Sequence, residues 1–111
     1  MTIVEFDIQL AEADRAGLTF KVAGEIDVAT SNRLRTEILR VLLEAGPSAT
    51  VTLDVADVTF IDSTGLSVLI SATKRLRAAG GDLVLRSPGL RMQKVIQLTQ
   101  LEDFFSLDFG R

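Results

Sequence analysis

Apolar Val4, Phe6, Ile8 and Leu10 alternate with Glu5, Asp7 and Gln9 at the start of the chain, the two-residue period of a strand with one buried and one wet face. Residues 11–17 are polar or small and predict a turn. The alternation resumes at Leu18, Phe20 and Val22, opposed by Thr19 and Lys21, so the two runs predict an antiparallel hairpin. The period then lengthens. Leu34, Ile38, Val41, Leu42 and Ala45 recur at helical spacing behind Thr30, the expected N-cap, with Arg33, Arg35, Glu37, Arg40 and Glu44 on the remaining surface. Gly46-Pro47 ends this helix, since Pro cannot continue it.

A third alternating run covers residues 50–55. Reached from the preceding strand through a helix, it predicts a parallel neighbour, followed by a short apolar-rich connection over residues 57–61. Leu66, Leu69, Ile70, Thr73 and Leu76 again follow a helical period, so Phe60-Ile61-Asp62-Ser63-Thr64-Gly65-Leu66 reads as a strand exit, a tight polar turn and a helix start. Gly80-Gly81 supplies the exit, and Lys74, Arg75 and Arg77 suit the negative end of the helix dipole. Residues 83–85 predict a brief strand, Ser87 and Pro88 open a third helix through Leu90, Val95 and Leu98, and residues 104–109 predict a last strand. The resulting order, β-β-α-β-α-β-α-β, predicts an α/β fold. It forms a single domain over residues 1–111, with a mixed sheet and the helices mainly on one face; Lys21, Thr52 and Asp54 point to the other.

With 111 residues, 47% apolar and no Trp or Tyr, the chain is long enough for one aliphatic core. Cysteine and histidine are absent, which removes disulfides, thiol nucleophiles, His-based acid–base catalysis and the common zinc and iron ligand sets; no metal and no cofactor is expected. The carboxylates of Asp57 and Asp62, or of Asp27 and Asp54, would permit a magnesium or aspartyl-phosphate reading. A receiver-type site needs an acidic pair after the first strand, however, and Glu5 and Asp7 instead alternate along its polar face. Ser63 as a hydrolase nucleophile has no His to activate it, and Lys74 lies about three turns away. The expectation is a non-enzyme. A net charge of -3 with scattered basic residues argues against nucleic acid as a partner, and Lys74, Arg75, Arg77, Arg86, Arg91 and Lys94 read as solvated side chains rather than a patch. No apolar run approaches the roughly 20 residues of a membrane span and no export signal precedes the first strand, so a cytoplasmic location is expected.

Ser63 follows Asp62 at a helix start, where backbone N–H groups lack intrahelical partners and the dipole favours negative charge. Capping by Asp62 or Ser63 is the simplest account of the turn. A phosphate on Ser63 is equally compatible and would add about 1.5 to 2 negative charges there. Gly24-Glu25-Ile26-Asp27, then Asp54, then Val58-Thr59-Phe60-Ile61-Asp62-Ser63-Thr64-Gly65-Leu66 resembles the STAS domains, specifically the anti-sigma factor antagonists, over nearly the whole chain. The resemblance implies that Ser63 is phosphorylated by the partner, an anti-sigma factor with a GHKL-type serine kinase fold. Only the unphosphorylated form binds that partner, so that binding frees a sigma factor, and a serine phosphatase would reset Ser63. Thr64 stands where several relatives carry a second Ser and is a minor acceptor, stiffened by its Cβ methyl. The implied partner surface comprises Asp27, Thr30, Asp62, Ser63, Thr64, Gly65, Leu66 and Ser67. The alternative implied by the same resemblance is a STAS subunit docking on a transporter ATPase or scaffolding a sensory complex. Many relatives continue into a final helix that is not found here after the last predicted strand.

Overall fold

The computed structural model describes residues 5–15, 17–46 and 49–109. Eight elements follow in the expected order: β1 (Asp7–Asp14), β2 (Gly17–Ile26), α1 (Ser31–Ala45), β3 (Thr50–Ile61), α2 (Ser63–Ala78), β4 (Asp82–Arg86), α3 (Leu90–Leu98) and β5 (Ser106–Asp108). The strands lie side by side in sequence order, β1-β2-β3-β4-β5. β1 is antiparallel to β2, and each later strand is parallel to its predecessor, as helical crossovers require.

One face of the sheet is apolar because the period-2 pattern puts Phe20, Val22 and Ile26 of β2, Val51, Leu53 and Val55 of β3, and Leu83 and Leu85 of β4 on the same side. Leu34 and Ile38 of α1, Leu69 and Leu76 of α2, and Met92 and Ile96 of α3 join these strands in one buried cluster. Across the other face runs a row of alternating charge, Lys21, Asp54, Arg86 and Asp108, each residue in register with the next. Opposite charges directly across neighbouring strands support that register, and Arg86 Nε lies 3.2 Å from Asp108 Oδ2.

Several sequence expectations are corrected. Residues 11–14 extend β1 rather than turning; the hairpin closes where Asp14 faces Gly17, whose N–H donates to Asp14 Oδ1 at 3.2 Å. Residues 57–61 belong to β3 rather than to a connection. The reason is a pair of bulges: three steps from Asp54 to Asp57 match two from Lys21 to Ala23, and Val58 to Phe60 matches Gly24 to Glu25. The first extra residue shifts the phase so that Val58 faces the core, and the second shifts it back so that Ile61 does as well. α3 starts at Leu90 behind Gly89, with no side-chain cap, and turns Met92 and Ile96 inward while Leu90 and Leu98 face solvent. Within residues 104–109 only Ser106–Asp108 is strand; Phe104 and Phe105 precede it as an edge-to-face pair. Val4, Pro47 and the side chains of Val41, Leu42 and Ala45 lie outside the described residues.

Candidate functional site

β3 delivers the chain to Asp62, whose backbone is extended (φ -108°, ψ -176°) and whose Oδ1 accepts the Gly65 N–H at 2.9 Å. Asp62 is therefore the N-cap of α2, and the Leu66 N–H donates to its carbonyl at 2.9 Å as the first helical bond. Ser63 is the first helical residue. It is exposed, its carbonyl accepts the Ser67 hydroxyl at 2.9 Å, and its own hydroxyl takes no part in the cap. Thr64 is half-buried beside it, while Gly65 and Leu66 are buried beneath.

The end of β2 supports this turn. The Asp62 N–H donates to the Ile26 carbonyl at 3.1 Å. A Cβ on Gly65 would stand 2.5 Å from Ile26 Cγ2 and 2.7 Å from the Ile26 carbonyl oxygen, so only a glycine lets the first turn of α2 rest on that strand end. Gly24 has the other close approach: with φ +90°, its place for a Cβ lies 2.8 Å from the Glu5 carbonyl oxygen, where the chain enters β1. Glycines in both motifs thus allow backbone segments to touch.

Beyond Ile26 the chain makes a closed turn into α1. Asp27 Oδ1 accepts the N–H groups of Ala29 at 3.0 Å and Thr30 at 3.1 Å. Thr30, expected as a cap, uses its hydroxyl differently: it accepts the Asp27 N–H at 3.0 Å and lies 2.7 Å from the Glu25 carbonyl, to which it donates. The helical donor Ser31 N–H reaches the Asp27 carbonyl at 2.8 Å. The backbone bond from Asp62 to Ile26 brings this turn beside Ser63, which places Asp27, Thr30, Asp62, Ser63, Thr64 and Ser67 around one end of the sheet. Sequence reasoning did not single out Val28, an apolar side chain 74% exposed on that turn. Its signal was an apolar residue within an otherwise polar turn.

The other acids do different work. Asp54 Oδ1 accepts the Ala56 N–H at 3.1 Å at the first bulge, and Asp57 is exposed on the same bulge. Among the described residues no group of three or more carboxylates, cysteines or histidines is placed to hold a metal. At the far end of α2, burial would raise the Asp82 pKa, but hydrogen bonds from the Ser106 hydroxyl, the Arg77 guanidinium and the Leu83 N–H outweigh it and hold the carboxyl below its ordinary value. Arg77 also lies over the Phe104 ring, 5.0 Å from its centroid. Of the basic residues weighed above, Arg77 and Arg86 thus pair with carboxylates, and Arg91 lies over Phe60. No described helix is long and apolar enough to cross a membrane.

Comparison with known proteins agrees with this fold. Residues 7–109 match the STAS domain family model. The anti-sigma-B factor antagonist of Listeria monocytogenes is 31% identical over 104 residues, covering 94% of this chain and 90% of that one. The fold is that of the anti-sigma factor antagonist SpoIIAA in its unphosphorylated form, with a TM-score of 0.75 at 22% identity over 91% of this chain and 87% of that one. The Bacillus cell fate determinant SpoIIAA in the phosphorylated form gives 0.70 at 23% identity, over 91% and 90%. A STAS sheet carrying an exposed serine at the start of α2, held by Asp62 above and Ile26 below, the family-model match and a 31% identical relative matched over 90% of its length together place this chain in the STAS-domain family of anti-sigma factor antagonists.

Proposed function

We propose that the protein binds an anti-sigma factor with serine-kinase activity while the Ser63 hydroxyl is free, and that phosphorylation of Ser63 by that partner ends the complex. Binding withdraws the anti-sigma factor from its sigma factor; a serine phosphatase restores the binding form. In this reading the whole chain, residues 1–111, acts as one regulatory domain in the cytoplasm and catalyses nothing itself. Thr64 is the minor acceptor. The relative from Listeria carries the antagonist role in its name.

The observation that supports the reading best is the division of labour at the helix start. Asp62 caps α2, so the exposed Ser63 hydroxyl can be modified without breaking a hydrogen bond of the fold. A phosphate there meets the positive end of the helix dipole and the open N–H groups of the first turn, which stabilise it in place. Beside the Asp62 carboxylate it also places at least two negative charges on a surface that the partner must desolvate. Repulsion and desolvation at the interface, with no refolding, account for release.

Incubation with the cognate kinase and ATP is expected to place one phosphate on Ser63, located by mass spectrometry of the digested protein. Ser63→Ala is expected to lose it, and undiminished labelling of that variant overturns the assignment. Ser63→Asp is expected to keep the wild-type circular dichroism spectrum and to bind the kinase at least tenfold more weakly. Wild-type affinity in that variant would remove charge as the basis of release.

A further inference from the structure

α1 and α2 pack side by side, yet a cavity of about 320 Å³ opens between them. It is a half-open groove at the surface, and its volume falls at the lower end of small-ligand sites, which run from about 300 to 1,000 Å³. Its walls are mainly aliphatic, with Ile38 and Leu39 from α1, Val68 and Ala72 from α2, and the exposed Ser71 of α2 beside them. The helical period puts each pair on the facing side of its helix. Ile38 and Val68 are buried, and Leu39 and Ala72 are half-buried.

Three cations, Arg35, Lys74 and Arg75, also line the cavity, and all three are exposed. Arg35 donates to the neutral Asn32 Oδ1 at 3.2 Å. Among the described residues none of the three makes an ion pair, whereas Arg40, Arg77 and Arg86 each pair with a carboxylate. An aliphatic slot edged by uncompensated cations is complementary to one chemistry, a hydrocarbon chain with an anionic head. Other occupants fit less well. A nucleotide would find no aromatic ring among the described residues of the cavity on which to stack its base. A second copy of the chain docked by the same face would set these cations against themselves across a two-fold axis.

We propose that the α1–α2 cleft is a binding site for a single-chain amphiphile with an anionic head, its chain against Ile38, Leu39, Val68 and Ala72 and its head at Lys74 and Arg75. Lys74 and Arg75 lie roughly 17–18 Å along α2 from Ser63, at 1.5 Å per residue, whereas Arg35 lies one turn into α1, toward the opposite end of the slot. The site is therefore separate from the serine, and its test involves neither kinase nor phosphate transfer.

The test follows the methyl resonances of Leu39, Val68 and Ala72 by NMR as the full chain is titrated, below the micellar concentration, with dodecanoate, dodecyl phosphate and dodecyltrimethylammonium. Saturable shifts with both anions are expected, with binding of the cation at least tenfold weaker. The double variant Lys74→Gln/Arg75→Gln, altered only at exposed positions, is expected to weaken dodecanoate binding at least tenfold with an unchanged unfolding midpoint. Ala72→Phe, which fills the slot, is expected to abolish it. Equal binding of the anionic and cationic probes overturns the proposal, as does dodecanoate affinity undiminished in the double variant. Two further outcomes reassign the cleft: association only with phosphatidylglycerol vesicles assigns it to a membrane surface, and a ligand-independent dimer dispersed by Lys74→Gln/Arg75→Gln assigns it to a second copy.

Discussion

The carboxylate of Asp62 closes the first turn of α2 by taking the Gly65 N–H, so the neighbouring hydroxyl is released from holding the helix. A serine that capped its own helix would exchange one anchor for another on modification; Ser63 has no such anchor to give up. Gly65 is the price of seating this turn directly on Ile26. Gly65→Ala would force a methyl within 3 Å of both Ile26 Cγ2 and the Ile26 carbonyl oxygen. The backbone oxygen cannot rotate aside as a side chain can, so the variant is expected to lose about 1–3 kcal/mol by overpacking, read as a lower urea midpoint. The Ser63 region is expected to register the strain first, as chemical-shift changes at Asp62 and Thr64.

At the scale of elements, α2 is pinned at both ends by unlike means. Its start is held by backbone contact with β2, its end by the Arg77 side chain, which donates to Asp82 Oδ1 at 2.8 Å and to the Ser106 hydroxyl at 3.3 Å. Because the Asp82 pKa is lower in the folded chain than in the unfolded one, its contribution is fully present above the ordinary aspartate value near about pH 4. It is lost as pH falls through the lower, folded value, where the native carboxylate also takes up a proton. Wild type is therefore expected to be more stable than Asp82→Asn at neutral pH, with the gap closing below about pH 4, as urea unfolding at a series of pH values would show. The order of elements was legible in the sequence because its apolar period switches cleanly between two and helical spacing. β3 was cut short because two bulges break the phase between Val55 and Ile61, and a bulge is defined by a partner strand that no single stretch reveals. The phase of α3 was missed for a related reason: Leu90 and Leu98 are apolar but exposed, so composition pointed to the wrong face. At the site, the Asp-Ser-Thr-Gly-Leu turn was legible, but the role of Thr30 was not. Its hydroxyl is committed to Asp27 and Glu25 by a turn that only the folded backbone forms.

Considered as a whole, the molecule has one core, to which every helix and strands β1 to β4 contribute, so a change confined to its surface has little to rearrange. Phosphorylation adds about 1.5 to 2 negative charges to a chain whose net charge is already -3. The phosphorylated protein is accordingly expected to unfold in urea in one transition with the unmodified m-value, since m follows the surface exposed on unfolding. A reduced m or a second transition would mean that the modification loosens the fold, and release would then need a different account from interfacial charge.

The side-by-side order of the strands also has a meaning in time. Every strand pairs with its predecessor in the chain, so the growing polypeptide never waits for a later segment to complete an earlier pairing. By residue 78 the elements bearing Asp27, Asp62 and Ser63 have all been made. The ribosome then needs roughly 1.5–6 s, at about 5–20 residues per second, to add residues 79–108, which carry β4, α3 and β5. The serine's surroundings are thus among the first parts of the sheet to be assembled, and β4 and β5 extend that sheet beyond β3 afterwards.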